Sequence, residues 1–236
     1  MARTPIWKSI ATTLEGEIAA GQYRPGDKLP TEAALSQRFG VNRHTVRHAL
    51  GDMGDRGLVH SRRGAGVFVA AKPTEYPIGR RVRYHQNLTA GGQTPSKQIL
   101  RLETRLPDEV EAKALRLTAE DPVHVYEGLS LADDAPLAVF RSVFPAARFP
   151  GLLKRLGKGG SVTEALRAEG VTDYTRASTR LTARQADATQ ALHLRIREGA
   201  PILRTESMNI DPADQPLEYG LTWFAGDRIC LVVTPD

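Results

Sequence analysis

The sequence predicts an α+β chain built from two domains, residues 1–72 and 73–236. Three observations lead there. Apolar residues recur at helical spacing through roughly the first 56 residues, then alternate at strand spacing over most of the remainder. Charge also divides unevenly: residues 1–72 hold 11 lysines and arginines against 6 acids, while residues 73–236 hold 21 of each. A small basic domain ahead of a larger neutral one points to a polyanion partner for the first and a different role for the second.

The elements follow in order. Residues 5–20 read as an amphipathic helix, with Ile6, Ile10, Leu14 and Ile18 spaced four apart and Gly21 beyond the end. In "YRPGDKLP", Pro25-Gly26 marks a turn and Pro30 keeps the chain non-helical up to Thr31. Thr31 suits the N-cap of a short helix, "TEAALSQRF", that stops at Gly40. Asn42 then caps a third helix running to about Arg56, with Gly57 as its stop. Two β-prone runs, "LVHS" and "VFVA", are joined by "RRGAG", which is a hairpin signal. Helix, helix, tight turn, helix and hairpin make a winged helix-turn-helix.

That order carries a chemistry. On a wheel of about 100° per residue, Arg43, His44, Arg47 and His48 share one face of the third helix, opposite Val46, Ala49, Leu50 and Met53. In a helix-turn-helix the N-terminal residues of the second helix of the pair enter the DNA major groove. Arginine suits the O6/N7 edge of guanine, so Arg43 and Arg47 are the main candidate readers. Asn42, His44 and Thr45 add base or phosphate hydrogen bonds. At the wing tip, Arg62 and Arg63 lie beside Gly64, where the backbone can come close to DNA. A solvated basic helix and a basic hairpin turn are the plainer readings of the same residues.

The segment "RPGDKLPTEAALSQRFGVNRHTVRHALGDMGDRGLVHSRRGAGVFV" (24–69) resembles the DNA-binding domain of GntR-type bacterial transcription regulators. The resemblance rests on Pro25-Gly26-Asp27, Leu29-Pro30, Glu32, Leu35, Gly40-Val41, Arg43, Thr45-Val46-Arg47, Ala49-Leu50, Gly57 and Gly64-x-Gly66. It implies operator contacts by Arg43, Arg47 and the wing around Arg63-Gly64. Ala33 departs from relatives that carry a DNA-contacting arginine there.

After the linker Ala70–Pro73, strand-like runs appear at "KQILRLETRL", "VHVYEGLSLADDAPLAVFRSVF", "TRLTAR", "PILRTESMNI" and "LEYGLTWFAGDRICLVV". Hairpins are expected at Asp133-Asp134 and Asp211–Gln215, and helices at about 80–91, 107–116, 162–169 and 185–194. This pattern predicts an antiparallel sheet with helices between strands. The region resembles the effector-binding domain of the HutC branch, which shares its fold with chorismate lyase, through "LADDAPLAVFRSVFPAARFPGL", "GGSVTEALRAEGV", "RASTRLTAR" and "PLEYGLTWFAGDRI". Within that branch, "RYHQNL" (83–88) and "RASTRLTAR" (176–184) look most like phosphonate-metabolism regulators.

An anionic small-molecule effector is therefore expected. "GKGGSVTEAL" leads through a Gly-rich loop into a helix at Ser161, a place hospitable to phosphate or phosphonate. Ser161-x-x-Glu164 is equally a capping box, and the two roles are compatible. Arg83, Arg141, Arg176, Arg180 and Arg184 are candidate anion partners, and His85, Glu127 and Tyr219 further polar candidates. The resemblance implies Ser161 and Glu218 as matching effector residues. It also exposes departures: Gly128 and Ser130 replace two arginines of sugar-phosphate-sensing relatives, and Thr163 and Phe224 replace two tyrosines. Ser130, Thr163 and Phe224 remain candidates at those positions.

The leading expectation is a homodimeric DNA-binding regulator, a repressor, released from double-stranded operator DNA by a small anionic metabolite such as a phosphonate or phosphate ester. The alternatives are a chorismate-lyase-like enzyme carrying a DNA-binding head, and an architectural DNA binder without a ligand. No Ser/His/Asp or Cys/His constellation stands out, and neither a cofactor nor a metal is expected. No apolar run approaches the ~18 residues of a membrane span, and the opening "MARTPIWKSI" lacks a signal-peptide core, so a cytoplasmic protein is expected. The single cysteine, Cys230, reads as a buried small hydrophobe.

Overall fold

The computed structural model describes residues 5–62, 64–70, 73–79 and 94–233, with the backbone alone at Arg62. The chain divides into two compact units, Met1–Lys72 and Pro73–Asp236.

The first unit holds α1 (Ile6–Ala19), α2 (Glu32–Phe39), α3 (Arg43–Asp55), β1 (Val59–Arg62) and β2 (Gly66–Val69). The helix ends follow from their caps. The Thr31 hydroxyl accepts from the Ala34 amide at 3.2 Å, and Gly40 closes α2 in the left-handed region at φ 63°. Asn42 opens α3 two residues later, its Oδ1 accepting from the Thr45 amide at 2.9 Å. Ile10, Ala11 and Leu14 of α1 meet Leu35 of α2 and Val46, Ala49, Leu50 and Met53 of α3 in one core. Leu14, Leu35, Val46 and Met53 are wholly buried, a burial worth about 1.5–3 kcal/mol for each side chain of this size. The α1 stripe differs from the i+4 expectation, since Ile6 is exposed and Ala11 joins the core instead. Four residues turn about 400°, so a strict i+4 row winds off the buried face.

The wing pairs antiparallel, with Arg62 opposite Gly66. Residues after Pro25-Gly26 run on as a third, short partner for β2. Lys28 bridges Phe68, and the Leu29 amide donates to the Val67 carbonyl at 2.8 Å.

The second unit contains β3 (Thr74–Ile78), β4 (Pro95–Arg105), α4 (Glu109–Leu115), β5 (Val123–Ala132), β6 (Ala135–Pro145), α5 (Leu152–Leu156), α6 (Val162–Ala168), β7 (Thr175–Gln185), α7 (Ala188–Leu194), β8 (Pro201–Ile210), β9 (Pro216–Ala225) and β10 (Ile229–Val233). Six strands form one antiparallel sheet in the order β4-β5-β6-β9-β8-β7, while β10 pairs with β3 in parallel as a separate ribbon. Asp133 and Asp134, both at positive φ, make the tight β5–β6 hairpin. The helix expected at about 80–91 lies outside the described residues. The sheet-rich α+β architecture is the one the alternation predicts; β3, α5 and the departure of β10 from the main sheet were not foreseen. Cys230 is exposed rather than buried, a correction that follows from its place on the β10 ribbon.

The sheet is internally duplicated. Asp108 and Asp187 each open a capping box, with Glu111 and Gln190 respectively, on a seven-residue helix ended by a left-handed arginine, Arg116 or Arg195. A two-stranded hairpin follows in each case, so β4-β5-β6 and β7-β8-β9 enter the sheet as mirror-ordered halves meeting at β6 and β9.

Alternation assigns the two faces. On one, Val125, Val143 and Tyr219 pack with Leu115 of α4, and Val139, Ile202 and Trp223 with Leu194 of α7. On the other, Tyr126, Phe140 and Phe144 pack beneath α5 and α6, and Ala138 and Phe224 beneath Tyr76 of β3 and Ile229 of β10. Between these two covers lies a cavity.

Candidate functional sites

Two places concentrate chemistry, one in each unit. In the first, the buried stripe of α3 fixes which residues face outward. Asn42, Arg43, His44, Arg47 and His48 are exposed and Thr45 is half-buried. Asn42 is occupied as a cap, since its Oδ1 accepts from both the amide and the hydroxyl of Thr45 at 2.9 Å. Arg47 forms a two-point ion pair with Glu32 of α2, Nε to Oε1 at 3.2 Å and Nη2 to Oε2 at 2.8 Å. The hydrogen bond from Arg47 holds the Glu32 carboxyl below the usual carboxylate range; burial opposes this, and the charges of Arg47, Arg43 and His44 reinforce it.

His48, although exposed, is engaged within the domain. Its ring stacks on Trp7 of α1, with centroids 4.3 Å apart and planes 24° apart, and so braces α1 against α3. At the wing, Gly64 (φ 76°) and Gly66 (φ 114°) take backbone conformations that side chains disfavour. Arg63 lies outside the described residues, and Arg62 is placed by its backbone register opposite Gly66. The stem of Lys28 passes over Gly66, where an added Cβ would sit 2.7 Å from its Cε. This exposed lysine beside the wing was not singled out in the sequence, because its pairing with β2 is a long-range contact with no local signal.

In the second unit the cavity has a volume of about 530 Å³. Of the sequence candidates, Ser130, Ser161, Thr163, Arg176, Glu218 and Phe224 line it. Its floor is a run of polar side chains across four strands. Glu218 accepts from the Ser142 hydroxyl at 2.6 Å and from Asn209 Nδ2 at 2.7 Å. Asn209 Oδ1 in turn accepts from Arg176 Nε at 2.8 Å. At the edge, Ser161 forms its capping box with Glu164, and the Thr163 and Tyr174 hydroxyls share a 2.8 Å hydrogen bond. Burial pushes the Tyr76 hydroxyl up to about 12, and pushes the Lys97 ammonium down against the opposing pull of Glu218.

Five expected partners stand elsewhere. Glu127 and Arg141 pair with each other, at adjacent register positions on the opposite sheet face. Arg180 is 77% exposed beside Glu206, and Tyr219 packs with Leu115 and Val125; both also belong to that far face. The reason is period-two alternation: each is an odd number of residues from a lining residue on its strand, or lies beyond the β7 bulge between Arg176 and Ser178. Arg184 is exposed near the end of β7. Arg83 and His85 lie outside the described residues. Sequence reasoning missed Lys97, Ser142, Asn209 and Tyr76, all of which line the cavity, because strand register decides which alternate set faces inward.

Among the described residues no group of three or more His, Cys, Asp or Glu is placed to hold a metal ion, and no helix is long and apolar enough to cross a membrane.

Comparison with known proteins matches each unit. Residues 7–69 match the model of the bacterial regulatory proteins of the gntR family, and residues 90–229 match the UTRA domain. An HTH-type transcriptional regulator of Rhizobium meliloti is 36% identical over 96% of this chain and 93% of its own length. The Escherichia coli protein described as "probable transcriptional regulator PhnF" is 32% identical over 94% of this chain and 92% of its own. In fold, the crystal structure of PhnF from Mycobacterium smegmatis superposes with a TM-score of 0.66 at 24% identity, covering 98% of this chain and 99% of that one.

Proposed function

This chain belongs to the GntR family of bacterial regulatory proteins and carries a UTRA domain, a transcriptional regulator of the HutC type, and from that premise we propose that it is a homodimeric repressor released from its operator by a small anionic metabolite. The observation that carries the DNA half is the split of α3, with Val46, Ala49, Leu50 and Met53 buried while Arg43, His44 and Arg47 are exposed. In this reading Arg43 and Arg47 take guanine edges or phosphates, and His44 adds a hydrogen bond. Asn42 and Thr45 set the helix start, and Arg62, Arg63, Gly64 and Lys28 form the wing contact. Domains 1–72 and 73–236 divide these tasks.

The effector half is supported by the cavity in the second unit. Its lining holds three cations, Lys97, Arg167 and Arg176, against the carboxylates of Glu164 and Glu218. Glu164 is engaged in the Ser161 cap, and Glu218 takes two hydrogen bonds from Ser142 and Asn209. That balance favours an anion, and a phosphonate or phosphate ester fits the volume. The domain then acts as a sensor with no catalytic step of its own. Binding to the dimer form that misplaces the two heads weakens operator binding by the same free energy, typically ~1–3 kcal/mol.

The test is a two-part titration. The full chain is used to select sequences from a random DNA library, and the recovered duplex is titrated by fluorescence anisotropy with and without methylphosphonate or inorganic phosphate. Enrichment of a two-fold sequence whose affinity falls 5- to 100-fold on ligand addition supports the proposal. No enrichment over random duplex overturns the DNA reading. Enrichment with unchanged affinity in every ligand overturns the effector reading, and incubation with chorismate that yields product overturns the non-catalytic one.

A further inference from the structure

We propose that Lys97 is the anion anchor of the cavity, and that the site accordingly takes a small molecule with a single phosphonate, phosphate or carboxylate head and hydrogen-bond donors elsewhere. The inference rests on the effector reading above.

The wall of the cavity explains why the anchor comes from β4. Lys97 stands directly across from Ser130 of β5. Two positions along β5, Gly128 has no room for a side chain: an added Cβ would lie 2.7 Å from Cζ of Phe140 and 2.6 Å from the Gln98 carbonyl oxygen. The Phe140 ring fills that space. β5 therefore offers the cavity the small hydroxyl of Ser130, which is buried, and no cation. The ammonium instead arrives from the neighbouring strand.

Its position is defined by aromatic rings. Lys97 Nζ is 5.2 Å from the Phe140 centroid and 5.9 Å from that of Tyr126. Those rings fix one another edge to face, with centroids 4.9 Å apart and planes at 75°. A lysine serving only solubility extends its ammonium into water, whereas this one is half-buried and lines the cavity. The other two cations are differently placed. Arg167 is exposed at the cavity edge, and Arg176, half-buried like Lys97, spends donors on Asn209 Oδ1 at 2.8 Å and Thr179 Oγ1 at 3.4 Å. A half-buried charge attracts an anion more strongly than an exposed one, because less water screens it, which ranks Lys97 above Arg167.

The same geometry sets the class of ligand. An ammonium is a compact charge with three donors, suited to a tetrahedral or carboxylate oxyanion without the planar match a guanidinium requires. Glu218 lines the same cavity and is close enough to act on the Lys97 charge. Its carboxylate repels a second anionic group and favours hydroxyl or ammonium donors on the ligand body.

The experiment is titration calorimetry of the full chain with methylphosphonate, inorganic phosphate and acetate, on wild type, Lys97→Met and Lys113→Met, an exposed lysine of α4 outside the cavity lining, with thermal unfolding as the control for folding. The proposal expects wild type to bind at least one of these oxyanions, Lys97→Met to bind it at least tenfold more weakly, and Lys113→Met to stay within threefold. If Lys97→Met does not fold, Lys97→Gln replaces it under the same criterion. Equal binding by the folded Lys97 variant overturns the anchor while leaving the anionic cavity standing. Equal losses in both variants show diffuse attraction and likewise overturn it. Absence of wild-type binding to all three overturns the anionic reading itself, and this inference with it.

Discussion

Arg47 of the third helix is gripped by Glu32 of the second, through two hydrogen bonds of 3.2 and 2.8 Å. The arginine is 63% exposed, so water screens the pair and it adds little to stability. Its consequence is geometric, because a guanidinium with four rotatable bonds is held at one place on the proposed DNA-facing surface. Glu32 also brings a negative charge toward the phosphates. Glu32→Gln is expected to raise affinity for random duplex and to narrow the ratio of specific to non-specific binding. Parallel anisotropy titrations on selected and random duplexes measure both, and an unchanged ratio counts against positioning by Glu32.

Asn42 separates two roles that share a residue. Its side chain caps α3 through the Thr45 amide. Asn42→Ala is expected to lower stability by about 1 kcal/mol in urea unfolding. Asn42→Asp keeps the cap and instead places a charge near the phosphates. It should leave unfolding nearly unchanged while weakening DNA binding severalfold, and loss of stability equal to the alanine variant would argue against the cap.

Lys28 is the basic side chain that folding brings to the wing, over Gly66. As a phosphate contact it carries no base information. Lys28→Ala is expected to weaken selected and random duplexes alike. It should also reduce the slope of log affinity against log salt by about 0.9, one phosphate contact. A full-sized slope would remove Lys28 from the interface.

How much of this was legible beforehand depends on whether the signal is local. The caps at Thr31, Asn42 and Ser161 and the outward face of α3 could be read directly, since each depends on residues within four positions. The sheet class was likewise visible in the alternation. Which alternate residues face the cavity was not. Glu127 and Arg141 are as polar as Ser130 and Ser142, and only the register between strands, set by contacts many residues apart, sends the first two to the far face. Lys97 and Lys28 are invisible for the same reason, as both acquire their roles from a neighbouring strand. The duplication of the sheet leaves only a sparse trace, Asp108, Glu111-Ala112 and Leu115-Arg116 against Asp187, Gln190-Ala191 and Leu194-Arg195, because the residues between these caps and helix ends are unrelated.

Glu111 gives a prediction about acid. It is buried, accepts from both Arg105 Nη atoms at 2.6 and 2.7 Å, and accepts from the Asp108 amide at 3.0 Å. Burial pushes its carboxyl up, but the Arg105 and Asp108 hydrogen bonds prevail and hold it below the usual range. A depressed carboxylate stabilises the fold fully above its unfolded pKa of about 4.3, and the contribution is lost as pH falls through the folded value. Glu111→Gln is expected to cost about 1.5–3 kcal/mol at neutral pH. Urea unfolding of both proteins at pH 7 and pH 3 checks this: the gap should shrink in acid, and a constant gap would show that the charge is not what Glu111 contributes.

The account turns on the outer face of α3 reading DNA. Its most direct test is an anisotropy titration of the selected duplex with the wild type and the Arg43→Ala/Arg47→Ala double variant, after circular dichroism confirms equal folding. Each lost base contact removes ~1–3 kcal/mol of discrimination, so the double variant is predicted to bind the selected duplex no more tightly than random DNA. A folded double variant that keeps wild-type preference for the selected duplex would contradict the account.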